Sequence, residues 1–438
     1  MSDHNQTFVA SEQSVTKPLR VVYLHQYFTT PCMQGGTRSY EMARRLVEAG
    51  HQVHMITSDR SRTGAPYETC EAGIRVTWIP VPYSNSMGNV ARICAFLQFA
   101  LVSARFAART EADVIFATST PLTIAIPAIY AKLRRRIPMV FEVRDLWPEM
   151  PIAVGALRNP ISKWAARLLE RFTYRNAEQI VALSPGIKDG IIAQGFPAER
   201  VTVIPNACDF ELFRNSQGKG KAFRSAHAWL QHRPLVVYTG TIGKLNGLSY
   251  MVRLAHAALA IDPEVRFLLV GNGKEEENVR RLARDLGVLD RNFFMTGGLE
   301  KSQVPQILGA ADIALSLFLD IKQMWANSAN KFFDALAAGK PVAINYGGWQ
   351  AELLQQHQAG LVLDPTDPSH SAQVLLKALG TPGWVTEAGR NAATLGKTCF
   401  DRDKLARDLE GVLVAAAGMR PQQGIGQEHR GSARGTTE

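Results

Sequence analysis

The sequence predicts an α/β protein made of two Rossmann-like domains, each built around a doubly wound parallel sheet. Three observations lead there. The chain has 438 residues, enough for two separate cores. Short apolar, often β-branched runs alternate with helix-period runs along its whole length, as expected for parallel strands covered on both faces. A polar stretch, Asn215–His232 with Gly218 and Gly220, divides two such series.

In order, the strands of the first series are Arg20–His25, Gln52–Thr57, Ile74–Ile79, Val114–Ala117, Met139–Val143, Ile180–Leu183 and Val201–Ile204. Helical patterns such as Thr37–Glu48, Leu122–Leu133 and Ser162–Arg175 lie between them. The second series runs Leu235–Tyr238, Arg266–Val270, Phe293–Thr296, Ile313–Leu317, Val342–Asn345 and Leu361–Leu363. The expected organisation is a flexible tail (1–19), a first domain (20–206), a linker region (207–234) and a second domain (235–395). A C-terminal helix (396–417) packing back toward the first domain and a disordered tail (418–438) follow.

Composition narrows the function classes. Hydrophobic content of 46% and charged content of 20% are those of a soluble globular protein. The first nineteen residues lack an apolar core and read as a tail, not a signal peptide. Five scattered cysteines without C-x-x-C argue against a disulfide framework or zinc and suit a reducing cytosol. The net charge of +10 is uneven: residues 88–136 carry seven Lys and Arg against two Asp and Glu. Aromatic-basic RNA motifs and zinc-finger spacings are absent, so nucleic acid ranks last as a partner. Residues 87–109 form a mostly apolar helix. Twelve residues separate Arg92 from Arg105, too few for a bilayer span, but the helix can lie in an interface. Arg134, Arg135 and Arg136 add attraction to an anionic membrane surface. An ordinary crossover helix is the alternative.

Ligands of such sheets sit at the carboxyl ends of the strands, so the loops there are the candidates. After the first strand, Gly35 and Gly36 stand at a helix mouth where backbone can approach an anion. The pattern is not G-x-G-x-x-G, so a nicotinamide dinucleotide is not indicated. In Glu142-Val-Arg-Asp-Leu-Trp-Pro-Glu149, Asp145 or Glu149 can hold a hydroxyl or accept a proton, and Arg144 can pair an anion. Gly240, Gly243 and Lys244 after Leu235–Tyr238, and Gly271 after Arg266–Val270, form glycine turns suited to phosphate. Ser328-Ala-Asn-Lys-Phe-Phe-Asp334 opens a helix that Ser328 or Asn330 can cap and that ends at Gly339 and Pro341. Lys331 at that helix start suits an anionic group, and Asp334 one turn on suits sugar hydroxyls. Asp401-Arg-Asp403 reads as a helix cap rather than a metal motif, and His51 and His54 point to opposite sheet faces, so no metal site is expected.

These segments resemble, from about Arg20 to Val414, the retaining family 4 glycosyltransferases of the GT-B fold, whose two Rossmann-like domains face a cleft. The resemblance rests on Gly36-Thr-Arg-Ser-Tyr-Glu, Gly50-His-Gln-Val-His-Met-Ile-Thr, Ile204-Pro-Asn-Ala-Cys-Asp, the Gly240 loop and Phe333-Asp-Ala-Leu-Ala-Ala-Gly-Lys-Pro-Val. The run 142–149 and Asn330-Lys331 are similar to the fucosaminyl-transferase-like branch acting in bacterial O-antigen, capsule and colanic-acid synthesis. The resemblance implies a nucleoside-diphosphate sugar donor, UDP-linked, and a polyprenyl-diphosphate-linked saccharide acceptor at the inner face of the cytoplasmic membrane. It implies no cofactor. Asp145, Lys331 and Arg144 become catalytic candidates, and Arg38 and Glu149 acceptor-side candidates. Gly35, Gly36, Gly240, Gly243, Lys244, Gly271, Asn330, Lys331 and Asp334 become donor-binding candidates. Asp334 takes the place of the family acid that holds the ribose. The partner acid eight residues earlier is Ala326, and the usual Arg and Lys of the glycine loop are Thr241 and Asn246. Those departures leave two rivals: a nucleotide-sugar 2-epimerase of the same fold, and a non-catalytic nucleotide-sugar-binding subunit.

Overall fold

The computed structural model describes residues 17–33, 35–84, 87–153, 155 and 157–418. Residues 1–16 of the expected N-terminal tail and 419–438 of the expected C-terminal tail lie outside them.

Two sheets form. The first contains β1 (Arg20–Leu24), β2 (Gln52–Asp59), β3 (Tyr67–Glu71), β4 (Ile74–Pro80), β5 (Val114–Thr118), β6 (Met139–Val143), β7 (Gln179–Ala182) and β8 (Val201–Val203). Its order is β3-β4-β2-β1-β5-β6-β7-β8. The second contains β9 (Leu235–Thr239), β10 (Arg266–Val270), β11 (Phe293–Thr296), β12 (Ile313–Ser316), β13 (Val342–Ile344) and β14 (Gly360–Val362), in the order β11-β10-β9-β12-β13-β14. All pairings are parallel except β3 with β4. Central strands such as β5 and β6 are buried along their whole length because helices cover both faces. Each sheet has a core on either side.

In each sheet the strand order reverses once, between β1 and β5 and between β9 and β12. Loops leaving neighbouring strands at such a point diverge to opposite faces and leave a crevice. Both crevices are used below.

Two segments differ from expectation. β3 is an additional strand, folded back on β4 through Ala72 and Gly73, both at positive φ. It was missed because it is a half-exposed polar edge, Tyr-Glu-Thr-Cys-Glu, with no apolar run. The region expected as a linker contains the helix Ser216–Ala226. That helix packs on Val304–Ala310 with its backbone close to Gly309: a Cβ on Gly220 would sit 2.1 Å from the Gly309 carbonyl carbon. Gly220, which looks like a linker residue, is the means of close helix packing.

The last helix, Arg402–Gly418, lies against the first sheet. It buries Leu405, Leu409 and Leu413 with Val21, Tyr23 and Met55. Asp401 accepts from the backbone N–H groups of Asp403 and Lys404, so it caps this helix. The two halves also meet at the loop before Asn330. Ser184 Oγ donates to the Ala326 carbonyl at 2.6 Å, and the Asn206 N–H donates to Ser328 Oγ at 3.0 Å.

Candidate active site

Two cavities open at the carboxyl ends of the strands and share Gly35, Gly36 and Asn330. The first, about 370 Å³, lies against the second sheet. The second, about 350 Å³, lies against the first. A Cβ on Gly36 would stand 2.7 Å from Asn330 Nδ2, so the glycine lets the two halves touch where the cavities join.

The floor of the first cavity is made where β9 and β10 end side by side. Gly240 and Gly271 carry positive φ, and a Cβ on Gly271 would fall 1.8 Å from the Gly240 carbonyl oxygen. Opposite them begins the helix Asn330–Ala337, which has no side-chain cap. Ser328, expected as a cap, is instead taken up by Asn206 across the domain boundary. The first N–H groups of the helix therefore face the cavity walls formed by Ala329, Asn330 and Lys331.

Lys331 stands at the strand-order reversal of the second sheet. Its Nζ donates to Tyr238 Oη at 3.1 Å and to the Leu317 carbonyl at 3.3 Å, groups at the ends of β9 and β12. It also lies 4.1 Å from the centre of the Phe318 ring and 4.7 Å from that of Tyr238. With its amide oxygen turned inward, Asn246 accepts from Lys331 Nζ at 2.9 Å and donates to the Thr241 carbonyl at 2.8 Å. All these partners are neutral. Burial pushes the Lys331 ammonium down to about 7, because nothing negative offsets the lost hydration. A lysine so placed favours an incoming anion.

Asp334 lies in the same wall but is engaged. Lys301 Nζ sits 2.5 Å from its Oδ2, and both side chains are largely buried. Lys301, Thr239 and Asn272 also line the cavity and were missed by sequence reasoning; Thr241 and Asn246, expected there only as the places of absent cations, line it too. The available signal for Lys301 was the Gly297-Gly298 pair just after β11.

The second cavity lies at the reversal between β1 and β5. His25, Tyr27, Thr29, Arg60, Tyr83, Thr120, Arg144 and Asp145 line it, together with the shared residues. Burial, aided by Arg144 and Arg60, pushes His25 well below the usual imidazole value, so it is neutral at pH 7. Its Nε2 lies 3.4 Å from Arg144 Nη1. Burial raises the Asp145 carboxyl above its ordinary value, with Arg144 opposing. A carboxylate with few fixed partners beside Arg144 can take a hydroxyl.

Of the expected residues, Gly35, Gly36, Gly240, Gly271, Asn330, Lys331 and Asp334 come together in the first cavity, and Arg144 and Asp145 in the second. Four fall elsewhere. Gly243 and Lys244 line neither cavity, and Lys244 is exposed on the turn Lys244–Asn246. Arg38 is buried: it donates to Glu142 Oε1 at 2.8 and 3.0 Å and to the Ile204 carbonyl at 2.8 Å. It ties a helix start to β6 and to the end of β8 and has no open face for an acceptor. Glu149 is on the surface, 3.0 Å from Arg167. Ala326 packs toward the first domain, where a Cβ on Gly186 would stand 3.0 Å from its own Cβ. A longer acidic side chain at 326 would meet Gly186.

The comparisons with known proteins follow this geometry. Residues 35–207 match the glycosyl transferase 4-like domain, and residues 233–381 the glycosyl transferases group 1 domain. An alpha-D-kanosaminyltransferase of Streptomyces kanamyceticus is 21% identical, over 65% of this chain and 73% of its own. A D-inositol 3-phosphate glycosyltransferase of Thermomonospora curvata is 25% identical, over 83% and 87%. A GDP-mannose-dependent phosphatidylinositol monomannoside mannosyltransferase of Mycobacterium tuberculosis is 26% identical, over 63% and 72%. Among solved structures, sucrose-phosphate synthase of Thermosynechococcus elongatus superposes with a TM-score of 0.71 at 16% identity, covering 90% of this chain and 98% of its own. HepE of Anabaena, solved with UDP-glucose, does so at 0.69 and 18%, covering 91% and 100%. WaaG, of lipopolysaccharide biosynthesis, does so at 0.66 and 17%, covering 90% and 99%. With a glycosyl transferase 4-like domain carrying one cavity and a glycosyl transferases group 1 domain carrying the other, the chain is a glycosyltransferase of the GT-B fold, an enzyme that transfers sugar from a nucleotide sugar.

Proposed function

We propose that the chain is a retaining transferase that moves a sugar from a UDP-linked donor to a hydroxyl of a polyprenyl-diphosphate-linked saccharide in bacterial surface-polysaccharide synthesis. The observation that carries the donor side is Lys331, a half-buried cation among neutral groups at an uncapped helix start. The nucleoside diphosphate lies in the first cavity, its phosphates toward Lys331 and the helix N–H groups. Its ribose lies toward Asp334, which must share or exchange Lys301 to receive it. The acceptor hydroxyl enters the second cavity beside Asp145.

In the reaction the acceptor oxygen bonds to the anomeric carbon as the bond to the β-phosphate oxygen breaks. The hydroxyl proton passes to that leaving oxygen on the same face, so the anomeric configuration is kept. Negative charge grows on the diphosphate, where a fixed cation and helix N–H groups are worth most. Arg144 and Asp145 hold and orient the acceptor. These groups assign no step to a metal, and full turnover in the presence of a chelator is expected. Loss of turnover that magnesium restores would overturn that part.

HepE, solved with UDP-glucose, supports the choice of base, and the phosphatidylinositol mannoside enzymes support a lipid-borne acceptor. The basic region 88–136 supports work at the inner face of the cytoplasmic membrane. The test is a donor panel assayed with and without lipid-linked saccharide. Acceptor-dependent release of UDP is expected. Stoichiometric binding without product, or acceptor-independent turnover to an epimer, would defeat the proposal.

A further inference from the structure

Thirteen large apolar side chains are exposed among the described residues, and ten of them lie on three helices of the first domain. These helices are Asn89–Arg109, Ala125–Arg135 and Pro160–Asn176. They cover the same face of the first sheet, since Ala95, Phe99, Ala128, Ile129 and Tyr174 share one core. Their outer sides therefore form one surface.

The exposed residues are patterned. On the first helix they are Val90, Ile93, Leu97 and Leu101; on the third they are Ile161, Trp164, Leu168 and Phe172. Each set follows i, i+3, i+7, i+11, a single helical stripe. Tyr130 and Leu133 fill the helix between them. A soluble helix turns such a stripe inward. Here each of the outer helices has an inner face that is already packed and a second apolar stripe facing out. Trp164 is 66% exposed and Ile161 75%.

Charge says what covers this surface. The three helices carry ten Lys and Arg and one acid, Glu170. That acid is buried and accepts from Tyr174 Oη at 3.0 Å. Glu149 and Glu178 on neighbouring segments pair with Arg167 and Lys132, and the remaining cations leave a net basic rim. An apolar stripe with such a rim matches an anionic bilayer interface, where stems bury and cationic heads reach the phosphates. A protein partner or second copy would have to bring an equally one-sided acidic rim, which this basic chain does not have. Val90–Arg109 is long and apolar enough by composition to span a membrane, but its inner face is fixed against the sheet, so it lies in the surface. A cavity of about 440 Å³ adjoins the third stripe, lined by Arg171, Arg175 and Arg200, the last over the Phe196 ring at 5.1 Å. It is of a size and charge for a lipid phosphate headgroup.

The surface also connects to the acceptor side. Phe96 of the first helix stacks on Tyr83 at 5.6 Å, and Tyr83 contacts Tyr27 at 5.3 Å; both tyrosines line the second cavity.

We infer that these three helices are a docking face for anionic membrane, with Ile161, Trp164, Leu168 and Phe172 inserted beside Val90, Ile93, Leu97 and Leu101, which brings the acceptor cavity to the lipid surface. This deepens the membrane part of the proposed function and needs no knowledge of the acceptor.

The test is co-sedimentation of the full chain with vesicles of phosphatidylglycerol mixed with phosphatidylcholine, against phosphatidylcholine alone. A thermal shift with UDP reports the fold and the donor site separately. Binding to the anionic vesicles is expected. The double variant Trp164→Ser/Phe172→Ser should lower it about tenfold, and Arg171→Ala/Arg175→Ala should lower it by a similar factor while leaving any binding to neutral vesicles unchanged. Both variants should keep the wild-type UDP shift. Equal binding to neutral and anionic vesicles, variants that bind like wild type, or a dimer that buries Trp164 and excludes vesicles would each overturn the inference. Vesicle binding without any UDP shift would leave it standing and count against the donor-site reading instead.

Discussion

Replacing Lys331 by methionine keeps most of its length and removes its charge, and two opposite consequences follow. The first is catalytic. Losing one preorganised charge stabiliser costs about 10²–10³-fold in turnover. The second concerns the free protein. A lysine that titrates near 10.5 when unfolded and near 7 when folded carries a penalty of about 5 kcal/mol on its charged form. Between those two pH values the unfolded chain binds the extra proton. Wild-type stability therefore rises as pH rises through this window, and below about pH 7 the penalty is full. Lys331→Met should thus raise the melting temperature at neutral pH while abolishing the added stabilisation by UDP.

The same titration sets the pH profile of the enzyme. Only the charged lysine attracts the diphosphate, and above about pH 7 the free enzyme must take up a proton to bind it. kcat/KM for the donor should fall about tenfold per pH unit there, and Lys331→Met should lack that limb. The assay is UDP release against donor concentration from about pH 6 to about pH 9, with melting curves at each pH. A flat alkaline limb in the wild type, or a variant within about threefold of wild-type kcat/KM, would remove Lys331 from the mechanism.

Three further outcomes are expected. Arg38→Ala leaves Glu142 buried without its partner and should cost about 3–5 kcal/mol in denaturant unfolding; a variant of normal stability with only a raised acceptor KM would restore Arg38 as a substrate contact. Asp334→Asn should raise donor KM about tenfold or more through loss of a charge-assisted hydrogen bond to the ribose, and an unchanged KM would assign Asp334 to Lys301 alone. Gly220→Ala forces a methyl into the Gly309 backbone and should lower stability by about 1–3 kcal/mol without altering donor kinetics; no loss of stability would mean that Ser216–Ala226 is the loose linker its composition suggests.

Thirteen of the fourteen strands were legible: the central ones because a parallel strand covered on both faces must be apolar along its whole length, and the edges β8, β11 and β14 because they too are short apolar runs, though only partly buried. β3 was not, because an exposed edge makes no such demand. The helix Ser216–Ala226 was hidden for a related reason: its Gly220 answers to Gly309, far along the chain, and a chain read in order sees only the cost of a glycine as a helix former. The site divides along the same line. Glycines at strand ends and a lysine at a helix start are local features, and they marked the cavities; that this start has no side-chain cap was not legible, because Ser328 is taken up by Asn206 from the other half of the chain. Whether a charge there serves a ligand or the fold depends on what lies across the space. Arg38 and Lys331 both stand at a helix mouth. Arg38 meets Glu142 from another strand and is neutralised; Lys331 meets two aromatic rings, a hydroxyl and a carbonyl, and is not.

The two departures from the family pattern in the glycine loop can be read in that light. Thr241 and Asn246 stand where the resembling enzymes carry cations, yet the space is not without charge, because Lys331 Nζ lies 2.9 Å from the Asn246 amide. A lysine at 246 would bring a second cation against Lys331 with no acid between them, and a cost of several kcal/mol follows from two like charges in a buried site. In this chain the cation stands at the helix start, and the loop presents a neutral side chain whose oxygen accepts from it. Asn246→Lys is therefore expected to lower stability while Lys331 is present, and to lower it less in the Lys331→Met background.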